Sequence, residues 1–187
     1  MIRVLFIIIA VLSMTSYNPQ RGDIIDTFNG VPVYYNGNNF RASTGRNITS
    51  SGYNLGLKYQ CVEFVKRYYY EVFQHEMPDS YGHAKDFFDP DLDDVAFNSD
   101  RGLMQFRNVR NEPPAVHDII IYGSMKDNPF GHMGIVTEVT RDSIEFIQQN
   151  FGLKTRQKLQ LVEFMGIYTV ADYGILGWLR MITDNQE

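Results

Sequence analysis

Between residues 60 and 73 the apolar side chains return every three or four positions, at Cys61, Phe64, Val65, Tyr68 and Val72. That period predicts an amphipathic helix from Gln60 to about Phe73, with Arg67 and Glu71 spaced for an i,i+4 pair. The second half of the chain has a different rhythm. After Pro113-Pro114, short β-branched runs at 118–122, 133–139 and 144–148 predict strands, and 177–181 predicts a last one. Earlier, Val31-Pro32-Val33-Tyr34-Tyr35 lies between Asn29-Gly30 and Asn36-Gly37, a short strand flanked by turn residues. Residues 41–53 are rich in Ser, Thr, Asn and Gly and predict a loop. Residues 86–100 predict an acidic, turn-rich connection. Helix early and strands late give an α+β domain, in which N-terminal helices pack on an antiparallel sheet over residues 22–183.

The first residues break this pattern. Behind Arg3, positions 4–14 form an apolar block interrupted only by Ser13. A bilayer span needs about 20 such residues, so the block suits the core of an export signal and predicts no stable membrane span. Residues 1–16 therefore read as a signal peptide, and the protein as periplasmic or secreted. A buried first element of the domain is the alternative. With 187 residues, 44% of them hydrophobic, the rest is enough for one well-buried domain. A formal net charge of −5 argues against nucleic acid or an anionic membrane as partner. There is a single cysteine. In an oxidising compartment it cannot form a bridge within the monomer, so it is either inert and buried or reactive.

Its position favours the second. Cys61 begins the predicted helix, where backbone N–H groups lack partners and the helix dipole favours a thiolate. No strong capping residue precedes it in Lys58-Tyr59-Gln60, although Gln60 has an amide that can reach a free N–H or a substrate. Downstream, Gly131-His132-Met133-Gly134 enters a strand. If that strand pairs with 144–150 across a turn near Arg141, alternation puts Gln148 and Asn150 on the face of His132 and turns Gln149 away. A side-chain oxygen beside His132 fixes its tautomer and leaves the other nitrogen free to take a thiol proton. Cys61, His132 and Gln148 then make nucleophile, base and orienter, with Asn150 as an alternative third member or support. His75, His83 and His117 have no such context and read as surface or loop residues. Asp89, Asp91, Asp93 and Asp100 fit positions of a calcium-loop template. Asp94 stands where that loop needs glycine, so a solvated acidic loop is the better reading and no metal is expected.

Gly56-Leu57-Lys58-Tyr59-Gln60-Cys61-Val62-Glu63-Phe64, taken with Gly131-His132-Met133-Gly134-Ile135-Val136, resembles the cysteine, histidine-dependent amidohydrolase/peptidase (CHAP) family. Within it the chain is similar to glutathionylspermidine amidase domains, also at Gly30-Val31-Pro32-Val33-Tyr34, Gln149-Asn150 and Ile175-Leu176-Gly177-Trp178. The resemblance implies a papain-like fold, no cofactor, an acyl-thioester intermediate, and Cys61 and His132 as nucleophile and base. It also sets Lys66 where those amidases carry a substrate-binding arginine. Gln148 replaces their glutamate, so the orienter brings a hydrogen bond without a charge. Export points to peptide amides of peptidoglycan as the substrate. The sequence likeness points instead to a glutathionylspermidine-like conjugate, and loss of the glutamate leaves open an inactive binding domain.

Overall fold

A computed structural model describes residues 18–182. The signal-peptide reading of residues 1–16 therefore lies outside the described residues. The elements run β1 (Ile24–Phe28), β2 (Val31–Tyr34), β3 (Arg46–Ile48), β4 (Asn54–Leu57) and α1 (Cys61–Phe73). A 3-10 turn at Ala84–Phe87 follows, then β5 (Ala96–Asn98), β6 (Leu103–Arg107), β7 (Ile119–Tyr122), β8 (His132–Val139) and β9 (Ser143–Ile147). The chain finishes with β10 (Arg156–Phe164), β11 (Ile167–Val170) and β12 (Ile175–Arg180). This is an α+β fold, a helix packed against an antiparallel sheet, consistent with a papain-like arrangement.

Eight strands form the main sheet in the order β11-β10-β9-β8-β7-β12-β6-β5. The last strand in sequence, β12, inserts between β7 and β6. Strand β7 reads Ile-Ile-Ile-Tyr and is buried throughout, because both faces of the sheet are covered. Ile119 and Ile121 join Phe64, Val65, Tyr68 and Tyr69 of α1 in one core. Ile120 and Tyr122 point the other way, to Val136, Phe146 and Trp178.

Some expectations change. Among the described residues α1 is the one α-helix, where a helical N-terminal part was expected. The expected loop at 41–53 contains β3, which pairs with β4 in a two-stranded sheet. The Arg67 guanidinium turns back to Glu63 (2.7 Å) rather than forward to Glu71. Glu63 is wholly buried, and an unpaired carboxylate there would be costly. No helix among the described residues is long and apolar enough to cross a membrane.

Candidate active site

Helix α1 starts at Cys61 because Gln60 is extended and cannot extend the ladder backwards. Its first bond runs from the Phe64 N–H to the Gln60 carbonyl (3.2 Å). The Cys61 and Val62 N–H groups thus precede the ladder, and no side chain caps them. Cys61 is 7% exposed and faces a cavity of about 1070 Å³ that His132 also lines. Phe40, Arg46, Tyr81, Asp86, Phe130 and Phe151 form much of the remaining wall.

His132 opens β8 through a tight entry. Gly131 has φ +73°, and a Cβ there would lie 2.9 Å from Lys85 and run into the Tyr122 carbonyl. At Gly134 a Cβ would stand 2.6 Å from the Ile147 carbonyl oxygen. The room these glycines provide is filled by neighbouring backbone, not left to a ligand. The His132 ring lies between Tyr122 and Phe151, with centroids 6.4 and 5.6 Å away. Its Nε2 is 2.8 Å from Oε1 of Gln148. The Gln148 Nε2 donates to the Lys154 carbonyl (3.0 Å), which can only accept. That bond fixes the amide with its oxygen toward the ring. Nε2 of His132 must then carry the proton, leaving Nδ1 with a free lone pair.

Burial decides the charge state. It pushes the Cys61 thiol up to about 11, against the opposing pull of the N–H groups of Met133, Val62 and Cys61 itself. It pushes His132 down to about 4, and the Gln148 bond offsets only part of this. Thiol and imidazole are both neutral at pH 7, whereas the helix start by itself suggested a thiolate. Desolvation outweighs the dipole here, and Gln148 supplies no charge to hold an imidazolium.

The other expected site residues separate. Gln60 lines the cavity, but its Nε2 donates to the carbonyls of Phe40 (3.0 Å) and Ala42 (2.8 Å). Asn150 does not reach His132 as the alternation predicted, because a φ of +66° breaks the strand pattern. It donates instead to Gln60 Oε1 (2.6 Å) and the Phe40 carbonyl (2.8 Å), and accepts from Asn36 (2.8 Å). Its place is that of a support. Lys66 is corrected outright as a substrate-binding residue. It is wholly buried, bonded to the carbonyls of Asn54 and Ser80, and its ammonium sits 4.7 Å over the Tyr53 ring. Burial lowers it to about 8.

In the acidic segment, Asp89 accepts from the Asp91 N–H (2.9 Å) and Asp94 pairs with Arg110. Among the described residues no three metal-ligating side chains converge. His83 is exposed, as the sequence predicts, and its ring lies tilted against Phe130 at 4.6 Å beside the cavity. His117 lies in the aromatic cluster under α1, bonded to the Tyr68 hydroxyl (2.7 Å). Sequence reasoning also passed over Gln149 and Glu63, whose side chains meet behind Cys61 (2.8 Å). A buried Gln between two polar neighbours carries no signal of its own.

A thiol at a helix start, buried against an antiparallel sheet and sharing a cavity with a strand-borne histidine, defines a hydrolase of the cysteine amidase or peptidase class. The chain belongs to the CHAP domain family, which residues 51–150 match. It is similar to trypanothione synthetase of Crithidia fasciculata, 30% identical over 76% of this chain and 22% of that protein. It is also similar to the bifunctional glutathionylspermidine synthetase/amidase of Escherichia coli (strain K12), 27% identical over 71% of this chain and 23% of that protein. The chain thus spans less than a quarter of the length of these relatives. Among solved structures, that of Ly7917 is similar over 38% of this chain and 30% of its own, at 24% identity and a TM-score of 0.27. So low a score supports no inference.

Proposed function

We propose that this chain is a thiol amidase acting on a glutathionylspermidine-like conjugate, an amide between a peptide carboxyl group and a polyamine nitrogen. The observation that carries the chemistry is the Lys154–Gln148–His132 chain of hydrogen bonds, which leaves Nδ1 of His132 as a base on the cavity that Cys61 faces. In this reading the Cys61 sulfur attacks the amide carbonyl carbon while Nδ1 takes the thiol proton. The N–H groups of Cys61 and Val62 receive the oxyanion. The C–N bond then breaks, and the imidazolium gives its proton to the departing amine. Water, deprotonated by the same nitrogen, attacks the thioester and releases carboxylate and thiol.

The amidase relative supports the conjugate as substrate. Peptidoglycan amides, expected from the export reading, draw their support from the apolar N-terminal block alone. The test is digestion of glutathionylspermidine and purified peptidoglycan side by side, with mass spectrometry of the products. Release of spermidine by the parent and not by Cys61→Ala is the expected result. Release of wall peptides alone would transfer the activity to peptidoglycan. No product, and no acyl adduct on Cys61 by intact mass, would leave a binding domain. Export is a separate proposal: a processed chain recovered outside the cytoplasm supports it, and Met1 retained on a cytosolic protein overturns it.

A further inference from the structure

Gln149 follows the residue that holds His132, is 1% exposed, and faces α1 rather than the cavity. Its amide is fully engaged. Nε2 donates to the Gln60 carbonyl (3.0 Å) and to Oε2 of Glu63 (2.8 Å). Oε1 accepts from the Tyr34 N–H (2.8 Å) and from Arg67 (3.4 Å). Glu63 is held in turn by Asn47 and Arg67, each at 2.7 Å. One of these bonds reaches toward the chemistry. The Gln60 carbonyl belongs to the peptide plane that carries the Cys61 N–H, and a peptide plane is rigid. That oxygen also accepts the first helical bond, from the Phe64 N–H (3.2 Å), and holding it between the two donors aims the Cys61 N–H the opposite way.

We propose that Gln149 is a positioning residue for the oxyanion. By holding the Gln60 carbonyl it orients the Cys61 N–H toward the carbonyl oxygen under attack. The same two-residue run, Gln148-Gln149, thereby sets the base on one side of the strand end and the oxyanion donor on the other. This rests on the proposed role of Cys61 as nucleophile, but not on the identity of the natural substrate.

The test separates a reaction that forms an oxyanion from one that does not. Acylation of Cys61 by p-nitrophenyl acetate passes through a tetrahedral oxyanion, whereas alkylation by iodoacetamide is a direct displacement. Both are measured at pH 9 on the full chain, with Cys61→Ala as background. The variant of choice is the exchange Glu63→Gln with Gln149→Glu. It keeps one carboxylate and one amide between α1 and the turn after β9 and retains partners for Arg67, Asn47 and the Tyr34 N–H, while the Gln60 carbonyl loses its 3.0 Å side-chain donor and keeps only the Phe64 N–H. Acylation should fall about 10- to 100-fold, alkylation should stay within about twofold, and the melting temperature should stay near that of the parent. Gln149→Met offers a second route, with acylation again falling at least tenfold more than alkylation. Equal loss of both reactions in the folded variants would mean general loosening and overturn the proposal. So would retention of both, or a parent that acylates no faster than Cys61→Ala. A parent that acylates normally but cleaves no amide would instead count against the proposed function alone.

Discussion

His132 shows how a single buried group ties the site to stability. Its pKa is about 4 in the folded chain against about 6.5 in an unfolded one, so the folded state refuses a proton that the unfolded state accepts. The stability linked to this residue is present above pH 6.5 and is lost as pH falls toward 4, a change of about 3 kcal/mol. Urea midpoints at pH 7 and pH 4 should show that loss, and His132→Asn should remove it; an identical pH dependence in the variant would refute the assignment. The Gln148 bond makes a second prediction. Gln148→Ala should lower kcat/KM about 10- to 100-fold by freeing the ring. Gln148→Glu places a negative charge 2.8 Å from the ring, which favours imidazolium. Since His132 must be neutral to take the thiol proton, the acid limb of the pH–rate profile should move to higher pH. A profile that does not move would detach Gln148 from the base. Cys61, His132 and Gln148 were legible in the sequence because each has a local sign: a thiol opening a helical period, a histidine between glycines, an amide one strand on. The neutral state of the pair was not legible, since it depends on burial that only the packed chain creates.

At the scale of elements, α1 was legible because its buried face follows a period of three to four residues. So were β2, β7, β8, β9 and β12, but the remaining strands were not. In β3 and β4 the pairing sequences are Arg-Asn-Ile and Asn-Leu-Gly-Leu, too brief and too polar for alternation to emerge. In β10 only Leu161 is fully buried, so a nine-residue strand reads as polar chain. Missing β4 matters for function, because β4 explains Lys66. That residue looks like a substrate cation when aligned by motif, yet five positions beyond Cys61 it has rotated off the cavity and ties α1 to the Asn54 and Ser80 carbonyls. Lys66→Ala should therefore cost on the order of 2–4 kcal/mol, from a cavity and a lost buried donor. Its KM should remain within about twofold of the parent's when measured on the folded fraction. A large rise in KM with unchanged stability would restore Lys66 to the substrate.

The whole molecule depends on an order of strands that no local pattern encodes. The pattern at 177–181 predicts a last strand, but nothing local in it says that β12 inserts between β7 and β6. That insertion buries Trp178 and Leu179 on opposite faces of the sheet, one in each core. It also means that β6 and β5 reach the rest of the sheet only through β12. The family match at 51–150 contains Cys61, His132 and Gln148 but neither β12 nor the β1–β2 hairpin that carries Tyr34. A chain ending at Gly174 keeps every proposed catalytic residue and still loses the centre of the sheet, exposing Ile119–Tyr122 along one edge and β6 along another. Such a chain should show no cooperative thermal transition by far-UV circular dichroism and a collapsed amide dispersion by NMR. It should cleave nothing, although all three proposed catalytic side chains are present. A cooperative melt from that chain would mean that β7 to β10 and α1 fold without the closing strand, and that the site needs only the segment the family shares.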